Sequence, residues 1–166
     1  MKSRRKARES ALQALYQCDT CANWLDETIE LYFKQFTEER ELSSKSAHEE
    51  NYLFARKLIF GARDFLLFLD KQITTASTHW NIERMSRVDR NILRLAVYEM
   101  AFCDDIPSSV SINEAIEVAK RFGSDDSPTF VNGVLDHVAR LFRQHPELIE
   151  EEKQAALADE LAVVNG

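Results

Sequence analysis

Ser86-Arg87-Val88-Asp89-Arg90-Asn91-Ile92-Leu93-Arg94-Leu95-Ala96-Val97-Tyr98-Glu99-Met100-Ala101-Phe102-Cys103 is the stretch that decides the fold class. Its Ser-x-x-Asp opening has the form of a helix start. The serine oxygen takes an orphan backbone amide, and the acid sits at the positive end of the helix dipole. Val88, Ile92, Leu95, Ala96, Tyr98 and Phe102 then recur at the three- and four-residue steps of a helix with one buried face. Asp104-Asp105-Ile106-Pro107 ends it in a turn, because proline biases the residue before it away from helical dihedrals.

The same period extends in both directions. Ser111-Ile112-Asn113-Glu114 has the form of a second capping box, opening a helix that Gly123 can end. Ser127-Pro128 reads as a third start, and Val131, Val134, Leu135, Val138, Ala139, Leu141 and Phe142 carry that helix to about Gln144. From Pro146 onward the chain is an acidic, Ala/Glu-rich extension, helical by propensity with a thin apolar face. Towards the N-terminus, Ala7, Ala11, Leu12, Ala14, Leu15 and Cys18 mark a helix from Arg5 to about Asp19. A second runs from Trp24 to Arg40, with Leu25, Ile29, Tyr32, Phe33 and Phe36 inward and a polar loop after it at 41–46. The apolar pattern from Ala47 to about Ser77 is too long for one surface helix. Gly61 offers a break, giving two helices or one bent one. No strand alternation or internal repeat is present, so the fold class is all-α. The organisation reads as an N-terminal helical subdomain (1–80), a joint at 79–85, a C-terminal helical subdomain (81–145) and the extension (146–166).

Composition sets the outer bounds. With 166 residues the chain can bury a real core, and four glycines with three prolines are too few for a many-stranded sandwich or barrel. No run of about 18 apolar residues suggests a membrane span, and the basic N-terminus meets no apolar stretch of the kind a secretory signal needs. An odd count of three cysteines fits a reducing cytoplasm. Cys18-Asp19-Thr20-Cys21 lacks the second knuckle of a zinc site and the βαβ setting of a redox motif, so two small residues near a helix end are expected there. There is no P-loop or dinucleotide glycine motif. His48, His79, His137 and His145 lie far apart, and Asp104-Asp105 and Asp125-Asp126 sit at helix junctions where acids serve as caps. No catalytic residue, metal or cofactor is expected.

Charge is unevenly placed. The net charge is −7, yet Lys2, Arg4, Arg5, Lys6 and Arg8 put five positive charges into the first eight residues. From Glu147 onward six acids face Lys153 alone. Like charges this dense repel one another at the wrong end of a helix dipole, and a polyanion would reverse that penalty. Arginine adds a planar fork that fits phosphate. The alternatives on composition are RNA or DNA contact and a merely solvated basic tip.

Three segments together resemble the NusB family of bacterial transcription antitermination factors. They are Arg4-Arg5-Lys6-Ala7-Arg8-Glu9-Ser10-Ala11-Leu12-Gln13-Ala14-Leu15-Tyr16, then Asp89-Arg90-Asn91-Ile92-Leu93-Arg94-Leu95-Ala96-Val97-Tyr98-Glu99, then Ile112-Asn113-Glu114-Ala115-Ile116-Glu117-Val118-Ala119-Lys120 followed by Gly123, Asp125-Asp126 and Phe130-Val131-Asn132-Gly133-Val134-Leu135-Asp136. The resemblance spans about residues 3–143. It implies two small helical bundles packed together. It also implies pairing with NusE, a small-subunit ribosomal protein, and binding to the single-stranded boxA element of nascent RNA. That assembly would join the RNA polymerase antitermination complex and suppress termination in ribosomal RNA operons. Carried over by position, Arg4, Arg5, Lys6 and Arg8 match the basic RNA-binding motif, and Lys2 extends the same charge run as a further RNA-binding candidate. Tyr16, Asp126 and Phe130, taken as RNA-binding candidates, match positions at or near the RNA and NusE surfaces, and Asp89 matches an acidic position near the NusE side. For these four the alternatives are a core tyrosine, a helix-start acid, a core phenylalanine and the acid of the Ser86 box.

Two departures stand out. Ser108-Ser109 replaces an aromatic and a lysine of other members, and the acidic extension exceeds the family core. That extension is expected to fold back on the basic N-terminus and compete weakly with RNA. Other functions left open are an RNA-guiding subunit of a ribosomal RNA methyltransferase and a helical protein-interaction module, and a homodimer is an open oligomeric state.

Overall fold

The computed structural model describes residues 2–43, 49–78 and 80–166, and the side chains from Arg4 onward within them. His48, His79 and the expected helix start at Ala47 lie outside the described residues, as does the side chain of Lys2. The helices are α1 (Lys2–Thr20), α2 (Asp26–Glu38), α3 (Glu49–Asp64), α4 (Leu66–Ala76), α5 (Arg87–Phe102), α6 (Ser108–Phe122), α7 (Ser127–Gln144) and α8 (Glu147–Asn165). A short 3-10 turn, Ile82–Arg84, precedes α5, and no strand occurs among the described residues. No described helix is long and apolar enough to cross a membrane.

The helix α5 is the axis of the molecule, and α1, α3, α4, α6 and α7 all pack on it. Ten of its sixteen residues are buried, so its apolar face is wider than the periodic stripe alone predicts: Leu93 and Val97 are fully enclosed too. A helix enclosed on most sides belongs in a core, and here it also buries Asn91, Arg94 and Glu99. Each of these is satisfied. Arg94 donates to both Asp70 oxygens (2.7 and 2.9 Å) and to Asn91 Oδ1, and Asn91 donates to Asp19. One continuous apolar cluster runs from Ala7 in α1 to Phe142 in α7.

Cap chemistry at α5 follows the sequence only in part. The Ser86 hydroxyl accepts from the Asp89 amide at 3.1 Å, but Asp89 Oδ1 is buried without a hydrogen-bond partner. The expected capping box at Ser111 is overturned. Helix α6 already begins at Ser108, placing Ser111 inside it, where its hydroxyl donates to Glu99 at 3.1 Å. Pro107 is the true start signal, since its fixed φ suits a helix entrance and its carbonyl accepts the first amides.

Glycine also acts differently from expectation. The α3–α4 break falls at Phe65, whose ring stacks on Phe102 at 4.3 Å, and Gly61 lies inside α3. A Cβ at Gly61 would stand 2.1 Å from Tyr98 Cζ, so close approach of α5 is what requires glycine there. Gly123 does end α6, but at φ −93°, outside the left-handed region; a Cβ there would meet Ser127 Cβ at 2.5 Å. Helix α1 instead ends through Ala22 at φ 50°, with the Asn23 amide donating back to the Cys18 carbonyl.

The acidic extension is the helix α8, and none of its residues is buried. Its first turns lie by the α5–α6 turn, where Lys153 stands 3.8 Å from Asp104. Among the described residues its acids form no ion pair with the basic start of α1, so the expected fold-back is not the arrangement of this structure.

Candidate nucleic-acid interface

The basic start of α1 is helical, and its cations separate into two kinds. Arg8 points inward and is only 5% exposed. Its guanidinium donates to both Glu99 oxygens at 2.9 and 2.7 Å and lies 3.8 Å from Glu114. Arg5 forms a second fork with Glu114 at 2.8 and 3.0 Å but stays partly open to solvent. Hydrogen bonds from Arg5, against the cost of burial, hold the Glu114 carboxyl below its ordinary value. Arg4 lies 4.9 Å from the Phe54 ring centre and 3.6 Å from Asp105, a loose, exposed pair. Lys6 is exposed, with no ion pair among the described residues. Arg4, Arg5 and Lys6 therefore face solvent, whereas Arg8 ties α1 to α5 and α6.

Farther along α1, Tyr16 is half-buried in an open cleft of about 260 Å³, with Gln13, Phe36, Val88 and Phe122 in its walls. A second cleft of about 390 Å³ abuts it through the shared Gln13 and Phe122 and carries Lys6, Arg40 and Arg121. Glu9, itself buried, accepts from Arg40 and from Arg121, fixing two cations from α6 and the end of α2 beside α1. Local sequence could not have found this pairing, because Arg121 is 112 positions from Glu9.

Phe130 packs in a different cluster. Its ring meets Trp80 edge-on at 6.2 Å, and Trp80 is 55% exposed, an aromatic that sequence reasoning placed only in a joint. Asp126 is exposed at the start of α7 without making a side-chain cap; Ser127 takes the Ser124 amide instead, at 2.9 Å. Asp89 stands at the α5 start with its unpartnered, buried oxygen, a few residues from the exposed Arg84 and Arg87, which form no ion pair among the described residues.

Beneath this surface, Asp19 near the end of α1 accepts from Arg90 at 2.6 and 2.7 Å and from Asn91 at 2.9 Å. Burial alone would push its carboxyl up, but these donors and the Arg94 charge outweigh that and hold it low. Cys18 is in the core and Cys21 is exposed; both are free thiols. Burial, chiefly, pushes the Cys18 thiol up to about 11, opposite to what a reactive thiolate needs.

The NusB family model matches residues 5–140 of this chain. The chain belongs to the NusB family. The transcription antitermination protein NusB of Citrifermentans bemidjiense is 47% identical over 139 residues, 84% of this chain and 95% of that protein. The solved T. maritima NusB is 38% identical with a TM-score of 0.72, covering 82% of this chain and 90% of its own. A solved complex of antitermination factors NusB and NusE with double-stranded RNA contains a chain 27% identical to this one, at TM-score 0.73. That match covers 85% of this chain and 98% of the other. The expected family and the all-helical fold are both correct, and the family is one of binding proteins, not enzymes.

Proposed function

We propose that this chain is a cytoplasmic RNA-binding antitermination factor that pairs with a NusE-type ribosomal protein and holds boxA RNA of ribosomal RNA operon transcripts within the polymerase complex. The observation that carries the reading is the solvent-facing set of exposed Lys6 with partly exposed Arg4 and Arg5 on one helix of an otherwise acidic body. A polyanion neutralises their mutual repulsion, and displaced counterions drive the association. The likeness to a chain solved with NusE and RNA supports the same pairing.

In this reading Arg4, Arg5 and Lys6 contact phosphates, with Lys2 extending the basic run. Arg8 acts from below by holding α1 in place. Tyr16 and Phe130 offer aromatic surface to unstacked bases, and Asp126, free of any capping bond, borders the Phe130 cluster. Asp89, partly exposed at the α5 start, offers its carboxylate to a basic partner. A homodimer covering α1 would be unable to take RNA.

The test is binding of a boxA oligomer with and without purified NusE at two salt concentrations, with sizing of the free chain. Tight, salt-sensitive binding that strengthens with NusE is expected. Binding indifferent to both salt and NusE would overturn the proposal. Neutralising Arg4 and Arg5 should flatten the salt slope.

A further inference from the structure

The paired clefts beside α1 contain an unsatisfied group. Gln13 lies where they meet, and its Oε1 is buried with no hydrogen-bond partner among the described residues. A buried acceptor without a donor is costly, and natural structures keep few of them. The side-chain amide borders open space on both sides, and its terminal torsion is soft, so a small rotation brings its oxygen to an incoming N–H. On one side the walls are aromatic, Tyr16 and Phe122. On the other stand Lys6 and Arg121, the latter 63% exposed and fixed through Glu9, with its guanidinium 5.2 Å from the Phe122 ring centre. Glu39 and Glu41 also border that cleft, so attraction there is local to Lys6 and Arg121 and not a general positive field.

A flat heteroaromatic with hydrogen-bonding edges suits the aromatic end, and an anion suits the other. A single nucleotide carries both. We propose that the joined groove is a one-nucleotide RNA subsite. The base lies against Tyr16 and Phe122, Gln13 hydrogen-bonds its edge, and Arg121 with Lys6 holds the adjoining phosphate. This deepens the proposed RNA reading and rests on it. It adds Gln13, Phe122 and Arg121, none of which the α1 charge run indicates, as residues that set base and backbone placement. The glutamine amide presents an acceptor and two donors, so it rewards a base edge and gains nothing from an abasic site. Stacking on an aromatic ring is tolerant of base identity, so Phe122 supplies affinity and Gln13 supplies orientation.

The test is a scan of single abasic positions through a boxA oligomer, read by fluorescence anisotropy with the full chain and NusE. One position is expected to cost the wild-type chain roughly tenfold in affinity. In Phe122→Leu and Gln13→Leu the same position should cost less than about twofold, because the base has already lost its site. Arg121→Gln should lower the salt slope by about one phosphate while keeping the abasic profile. Thermal unfolding within a few degrees of wild type confirms that each variant folds. If every abasic position costs the variants as much as the wild type, the subsite is overturned while the α1 reading stands. Weakened NusE binding with an unchanged abasic profile would make the groove a protein contact and also overturn it. No RNA binding by the wild-type chain would overturn both.

Discussion

Replacing Arg8 by alanine separates a phosphate contact from a structural cation. In the folded protein Arg8 supplies both N–H donors that the buried Glu99 carboxylate receives from a cation. Glu99 is 2% exposed, and after the substitution its one remaining side-chain hydrogen bond among the described residues is that from the Ser111 hydroxyl at 3.1 Å. Breaking a buried ion pair from one side costs about 3–5 kcal/mol, since the stranded charge keeps its desolvation penalty. For a domain of this size each kcal/mol moves the melting temperature about 2–4 °C, so a drop of roughly 6–20 °C is expected. Removing the charge on both sides with Arg8→Met and Glu99→Leu together should recover most of it, less about 1 kcal/mol for the Ser111 hydroxyl left without its acceptor. Circular dichroism melts and urea titration read both quantities. If Arg8→Ala unfolds within about 0.5 kcal/mol of wild type, the pair is not structural and the inward placement of Arg8 is wrong. A large loss confirmed there means that RNA-binding defects of Arg8 variants must be corrected for unfolding before they are read as lost phosphate contacts.

Acid should weaken the fold through Asp19, Glu30 and Glu114, all held below their ordinary values. Their contribution is full above the ordinary carboxylate range near about 4 and is lost as pH falls through the lower folded values. Melting temperature against pH should therefore fall below about pH 4, and an unchanged curve in Asp19→Asn would count against the Asp19 cluster as its source. Gly61→Ala should cost about 1–3 kcal/mol in urea unfolding, because the new methyl must displace the Tyr98 ring; a neutral result would show that α3 and α5 separate freely. Ala22→Gly should raise stability by about 0.5–1 kcal/mol by relieving a left-handed residue at the α1 end, measured the same way. Deleting residues 154–166 should move the melting temperature by no more than about 2 °C, since no α8 side chain is buried; a larger loss would place α8 in the folding unit.

Much of the helical layout was legible because its cause is local. Apolar residues three and four apart make a face whatever lies opposite, and Ser86 finds the Asp89 amide within its own turn. Starts and breaks were less legible where the signal was shared. Ser-x-x-Glu at Ser111 fits a capping box, but Pro107 had already set the backbone for a helix, and Glu114 was claimed by Arg5. Gly61 was visible as a glycine, but the reason for it is Tyr98, a ring that reaches it only through packing. The candidate interface divides along the same line. The α1 cations and Tyr16 stand in one helical segment that can be read directly. Arg121, Arg40, Phe122 and Trp80 join the surface from other elements.

By itself the amino-acid sequence determined an all-helical chain with a positive end and an acidic body, because period and composition are properties of short stretches, and its motif segments carried the resemblance to the NusB family. Only the tertiary structure decided which positive charges are available. Glu99 and Glu114 lie 91 and 109 positions from the arginines they bind, and an ion pair over such a separation exists only once α5 and α6 have packed against α1. Five cations in the first eight residues thus become one buried strut, a partly open pair, a partly exposed arginine, a lysine with no ion pair among the described residues, and Lys2 at the helix start.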